Sequence, residues 1–116
     1  MGFFDFFKNF GSSSTTETTV VNQSVLESVP NNCVMIIEDV FSIPGKGVVV
    51  TGTVLRNSIN LNDTLMVMES NKTVRVVGIE VFRKQLEFAE TGMNVGLLLD
   101  GVTRDELMAS YKLLKM

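Results

Sequence analysis

EDVFSIPGKGVVVTG, residues 38–52, decides how this chain is read. Its Gly-Lys-Gly, its valines and its Thr-Gly suggest a phosphate loop. Such a loop runs Gly, four residues, Gly-Lys and then Ser or Thr, and it opens a helix. Here Lys46 is followed by Gly47 and by Val48, Val49 and Val50. Three β-branched residues in a row start a helix poorly and fit a strand well. Pro44 pre-sets φ for a turn, Gly45 and Gly47 accept positive φ, and Lys46 belongs in water at the tip. The apolar runs 34–41 and 48–54 therefore read as the two arms of a β-hairpin.

Outward from that hairpin, residues 31–116 read as antiparallel β. Strands are expected at 33–41, 47–55, 64–69, 73–83 and 94–99, with a weaker one near 110–115. Turn signals separate them: Pro44 to Gly47, Asn57 to Asp63, Ser70-Asn71 and Thr91-Gly92. Many short, closely spaced strands without an internal helix predict an all-β fold, a small closed barrel. Strands apolar on both faces, such as VMII and GLLL, imply that one face fills the interior. A loop, a neighbour or another segment of the chain would cover the other.

Two further segments precede the barrel. In residues 1–10, MGFFDFFKNF, a projection at 100° per residue places Phe3, Phe6, Phe7 and Phe10 on one stripe, with Asp5, Lys8 and Asn9 opposite. This predicts a short amphipathic helix, too short to be stable unless it forms against something. Residues 11–19, GSSSTTETT, have linker composition, so 11–30 is read as a flexible linker and approach segment. The phenylalanine stripe either covers an apolar patch of its own barrel or docks to a partner protein, to itself or to a membrane surface. Its polar face carries few cations, which weighs against lipid.

Composition excludes several function classes. With no His and one Cys, zinc sites and thiol–imidazole nucleophiles lack material, and no metal or cofactor is expected. A lone Cys33 suits a reducing cytosol, and the expected localisation is cytoplasmic. The net charge is −3, and residues 31–116 balance ten acids against nine bases. Non-specific nucleic-acid affinity comes mainly from neutralised phosphates, so any RNA contact must be a small, shaped site. Apolar runs are too short to span a bilayer, and Asp5 and Lys8 interrupt any signal-peptide core.

Three ordered motifs narrow the reading. IEDVFSIPGKGVVVTGTV, GIEVFRK and GMNVGLLLDGVTRDEL resemble the second domain of elongation factor Tu and related translational GTPases, across residues 33 to about 107. The seven residues between FRK and Gly92 also match that family's spacing. The resemblance implies a six-stranded antiparallel barrel, no GTP site of its own and no enzymatic activity. In the family, GTP is bound by a preceding domain, while the second domain helps to hold the aminoacylated 3′ end of a transfer RNA.

By position, Glu80 would accept a hydrogen bond from the terminal ribose 2′-hydroxyl. Arg83, Val50 and Thr51 would help to form the adenosine pocket. Glu38, Asp39, Phe41 and Asn94 would line the side facing the esterified amino acid. The sequence departs from the family where its turn glycines become Asn57 and Asn62, which tolerate left-handed backbone. After Leu107 an Arg-Gly-Gln pattern gives way to Met108-Ala109-Ser110-Tyr111.

Plainer roles compete at each position. Lys46 reads as a solvated turn residue, Glu80 with Arg83 as a surface ion pair, and Asn94 as a turn-fixing residue. Glu38 and Asp39, adjacent on a strand, point to opposite faces and cannot act as a facing acid–base pair. Two functions follow. One is a non-catalytic translation-related module binding the acceptor end of transfer RNA or a ribosome-associated surface. The other is an interaction or scaffolding module delivered to a partner by Phe3, Phe6, Phe7 and Phe10.

Overall fold

A computed structural model of the protein describes residues 27–116. The helix expected at 1–10 and most of the expected linker lie outside the described residues. Ten strands follow in order: β1 Cys33–Ile36, β2 Asp39–Ile43, β3 Gly47–Thr53, β4 Ile59–Asn60 and β5 Thr64–Val67. They continue as β6 Lys72–Val81, β7 Lys84–Leu86, β8 Phe88–Ala89, β9 Asn94–Asp100 and β10 Lys112–Lys115. A 3-10 turn, Arg104–Glu106, interrupts the last connection.

The main sheet runs β1-β10-β5-β6-β9-β3-β2, with β7 paired to β6, and β4 and β8 form a separate two-stranded sheet. All pairings are antiparallel. The sheet is not closed, which corrects the expectation of a closed six-stranded barrel. No ladder joins β1 to β3; an isolated bridge, Met35 to Val54, and the Leu55 N–H, which donates to the Val34 carbonyl at 2.7 Å, link the two sides. Gly52 is what lets these segments approach. A Cβ there would lie 2.6 Å from the Ile36 carbonyl oxygen, where no side chain fits.

The opening hairpin forms as the Pro-Gly chemistry demands, between β2 and β3, with Ile43 opposite Gly47. The Lys46 N–H donates to the Ile43 carbonyl at 3.0 Å, and Gly45 has φ 78°. Proline first and a positive-φ glycine second is the type II turn pattern. The expected strand 33–41 is instead two strands, since Ile37 and Glu38 leave the ladder. There the Ile37 N–H bonds to the Tyr111 carbonyl and the Glu38 N–H to the Thr51 carbonyl, at 2.8 and 2.7 Å. Asn57 and Asn62 adopt φ 59° and 73°, as a short polar side chain allows.

The core follows the pleat. Val48, Val50, Val76, Ile79, Val95, Leu97 and Leu99 point into one buried cluster with Val34, Met35, Leu65 and Leu113. On the opposite face of β3 and β9, a smaller cluster joins buried Val49 to Phe41, Ile43 and Leu98. Cys33 is fully buried beside Leu55 and Leu114. Burial pushes its thiol pKa above the ordinary value, against a weaker opposing hydrogen bond to the Met35 carbonyl.

Candidate nucleic-acid interface

The candidate residues gather on the face turned away from the main core. β6 is long enough to cross the sheet, and along it Val74 and Val76 point inward. Strict alternation would next send Gly78 and Glu80 inward. The ladder with β9 shifts between Val76 and Gly78, which makes Val77 the extra residue of a β-bulge. After that shift Ile79 takes the core position, and Glu80 turns to the opposite face.

Glu80 pairs with Gly96 on β9, Gly96 pairs with Thr51 on β3, and Thr51 pairs with Asp39 on β2. On its other side Glu80 pairs with Gln85 of β7. The row Asp39, Thr51, Gly96, Glu80, Gln85 therefore runs straight across four neighbouring pairings on one face. Glu80 is fully buried and Thr51 nearly so, whereas Asp39 is exposed. Gly96 brings no side chain to the middle of the row, between two buried polar residues.

A second polar group lies two residue pairs along, on the same face. The Asn94 Nδ2 donates to Thr53 Oγ1 at 3.0 Å and to Glu38 Oε1 and Oε2 at 3.4 and 3.5 Å. Asn94 opens β9 and pairs with Thr53, so it acts across strands and not inside a turn. Phe41, half-buried against Val49 and Leu98, forms the apolar flank of the same face. Glu38, Asp39, Phe41, Thr51, Glu80 and Asn94 are thus brought together. Val50 is not, because its side chain lies in the main core and only its backbone borders Thr51.

Arg83 sits just beyond, in the two-residue turn that joins β6 to β7. The expected strand 73–83 ends instead at Val81, which pairs with Lys84. Phe82 and Arg83 both have positive φ, 50° and 67°. Consecutive left-handed residues make a type I′ turn, normally Asn-Gly, because a Cβ is strained there. Phe82 is also 84% exposed. Sequence reasoning missed it, together with Thr53, Gln85 and Gly96. The four-residue gap between apolar Val81 and Leu86 was the available signal, hidden because neither Phe82 nor Arg83 is a typical turn former.

The comparisons with known proteins fit this architecture. Residues 47–111 match the family model described as elongation factor Tu domain 2. The chain belongs to the elongation factor Tu domain 2 family. Among solved structures, translation elongation factor SelB from Methanococcus maripaludis, in its apo form, is similar at 30% identity and a TM-score of 0.65. That match covers 70% of this chain and 18% of the SelB chain. A bacterial selenocysteine-specific elongation factor shares the fold at 20% identity and a TM-score of 0.67, over 80% of this chain and 17% of its own. The chain thus spans under a fifth of the length of either factor. Among the described residues, no helix is long and apolar enough to cross a membrane.

Proposed function

We propose that this elongation factor domain 2 binds the aminoacylated 3′ end of a transfer RNA on the β2-β3-β9-β6 face, without catalysing a reaction. The observation that carries the reading is the row Thr51, Gly96, Glu80. It sets a carboxylate and a hydroxyl on either side of a position without a side chain. A carboxylate there accepts a hydrogen bond from a 2′-hydroxyl, which distinguishes RNA from DNA. Exposed Phe82 and the neighbouring Arg83 offer the planar groups on which an unpaired base stacks. Phe41, Glu38, Asp39 and Asn94 provide an apolar and polar border for the esterified amino acid.

The near-neutral charge of residues 31–116 suits a small shaped site of this kind. The test is binding of an acceptor-stem RNA carrying its amino acid through a hydrolysis-resistant amide. Glu80→Gln keeps the side-chain volume and removes the charged acceptor. A hydrogen bond to a charged group contributes about 1.5–3 kcal/mol, so affinity should fall roughly ten- to hundredfold. Equal affinity of the folded variant and the parent would remove the proposal.

A further inference from the structure

Gln85 stands at the end of the row that crosses the candidate face. In the antiparallel register of β6 and β7 it lies directly opposite Glu80, between the pairs Val81–Lys84 and Ile79–Leu86. Directly opposed residues share a face, with Cβ atoms about 4.5–5.5 Å apart. The neighbouring pair fixes which face. Ile79 lies in the main core and Leu86 packs against it, so Glu80 and Gln85 both turn the other way.

The two side chains differ in burial. Glu80 is fully buried, whereas Gln85 is exposed, and its amide makes no hydrogen bond among the described residues. β7 is a three-residue edge strand paired to β6. A polar residue on such an edge discourages pairing with other chains, but exposed Lys84 already does that on the same strand.

We infer that Gln85 reads the base of the nucleotide whose ribose lies at Glu80, and that it selects adenine. The inference rests on the reading of this face as a site for an RNA 3′ end. A carboxamide carries an acceptor and a donor side by side. Adenine presents their complement along one edge, with the N6 amino group as donor and N7 as acceptor. Guanine places two acceptors there, O6 and N7, so one amide cannot satisfy both. Pyrimidines have no N7.

The order of groups along the row fits this assignment. Glu80 accepts from the ribose hydroxyl, and Gln85 lies one strand spacing further out, about 4.8 Å. Phe82 and Arg83 close the same β6–β7 hairpin. A base stacked at that tip lies on the Gln85 side of the ribose, away from Gly96 and Thr51.

The experiment measures binding of the full chain to three acceptor-stem RNAs, each aminoacylated through an amide, that differ only in the last nucleoside. These are adenosine, guanosine and 7-deazaadenosine. The parent should prefer adenosine to guanosine roughly five- to 150-fold, the discrimination of one bidentate pair. Without N7 one of the two bonds is lost, so 7-deazaadenosine should bind roughly two- to tenfold more weakly than adenosine. Gln85→Ala changes an exposed side chain and should bring the three affinities together. Glu80→Gln should weaken all three by one factor and keep their ratios, because the 2′-hydroxyl is common to them. Equal affinities of the parent for the three RNAs, or ratios that Gln85→Ala leaves unchanged, overturn the inference and leave the ribose reading standing. No binding of any of the three by the parent overturns both.

Discussion

Glu80 and Thr51 flank Gly96 across three adjacent strands, both turned from the core and both buried, at 0% and 2% exposure. That relationship depends on Val77 standing outside the alternation. Were Val77 paired in regular register, the carboxylate would enter the apolar cluster around Val50 and Leu97. Bulges are common where a side chain has to be re-aimed beside a functional site.

Deletion of Val77 should remove the bulge without re-aiming its neighbours. Gly78 then follows Val76 in strict alternation, Ile79 stays in the core and Glu80 stays on the opposite face. Val77→Ala keeps the bulge and should change stability by less than about 1 kcal/mol. Urea unfolding checks both variants, and a loss of several kcal/mol on deletion, as burial of the Glu80 carboxylate would cause, contradicts this phase.

Gly52 sets how closely β1 packs on β3. Gly52→Ala places its Cβ against the Ile36 carbonyl and the Met35 side chain, 2.6 and 2.7 Å away. Backbone has to move, so a loss of about 1–3 kcal/mol is expected, or on the order of 4–8 °C in melting temperature per kcal/mol. Differential scanning calorimetry reads this directly.

The turn at Phe82-Arg83 stores strain that Asn-Gly would not. Replacing both residues with Asn-Gly should stabilise the protein by about 1–3 kcal/mol, because each left-handed non-glycine residue carries a cost of this order. If that turn supplies stacking surface, the same variant should bind acceptor-stem RNA less well. A rise in denaturation midpoint together with a fall in affinity is the expected pair of results.

Acid should weaken the β5–β10 side of the sheet. Burial raises the Glu69 carboxyl pKa, but the Lys112 N–H at 2.9 Å and Nζ at 3.1 Å outweigh that and hold it below the ordinary 4.5. The Thr103 N–H and the Lys72 ammonium hold Glu106 down similarly. A carboxylate whose folded pKa is depressed contributes stability above its unfolded pKa and loses it as pH falls through the folded one. Stability should therefore drop below about pH 4.5, and Glu69→Gln should shrink that drop in denaturant midpoints measured across the range.

Much of the fold was legible in the residues. Pro44-Gly45-Lys46-Gly47 followed by three valines specified the first hairpin, and Asn57 and Asn62 marked left-handed turns. The open sheet was not legible, because strand closure depends on how β1 meets β3, and a lone Gly52 inside a valine-rich strand does not reveal its neighbour. The split at Ile37-Glu38 was hidden by continuous apolar character. At the site, Glu80, Thr51 and Asn94 could be named in advance, whereas their shared face could not. A strand read without its bulge has the wrong phase beyond it, and Val50 was grouped with Thr51 although adjacent strand residues face opposite ways.

The most direct test of the central claim is an amide NMR titration of the isotope-labelled full chain with acceptor-stem RNA, aminoacylated through an amide and uncharged. The account predicts shifts confined to Thr51, Glu80, Arg83, Gln85, Asn94 and Gly96, larger with the aminoacylated RNA. A spectrum unchanged at saturating RNA, or equal shifts spread over the lysines of β10, would contradict it.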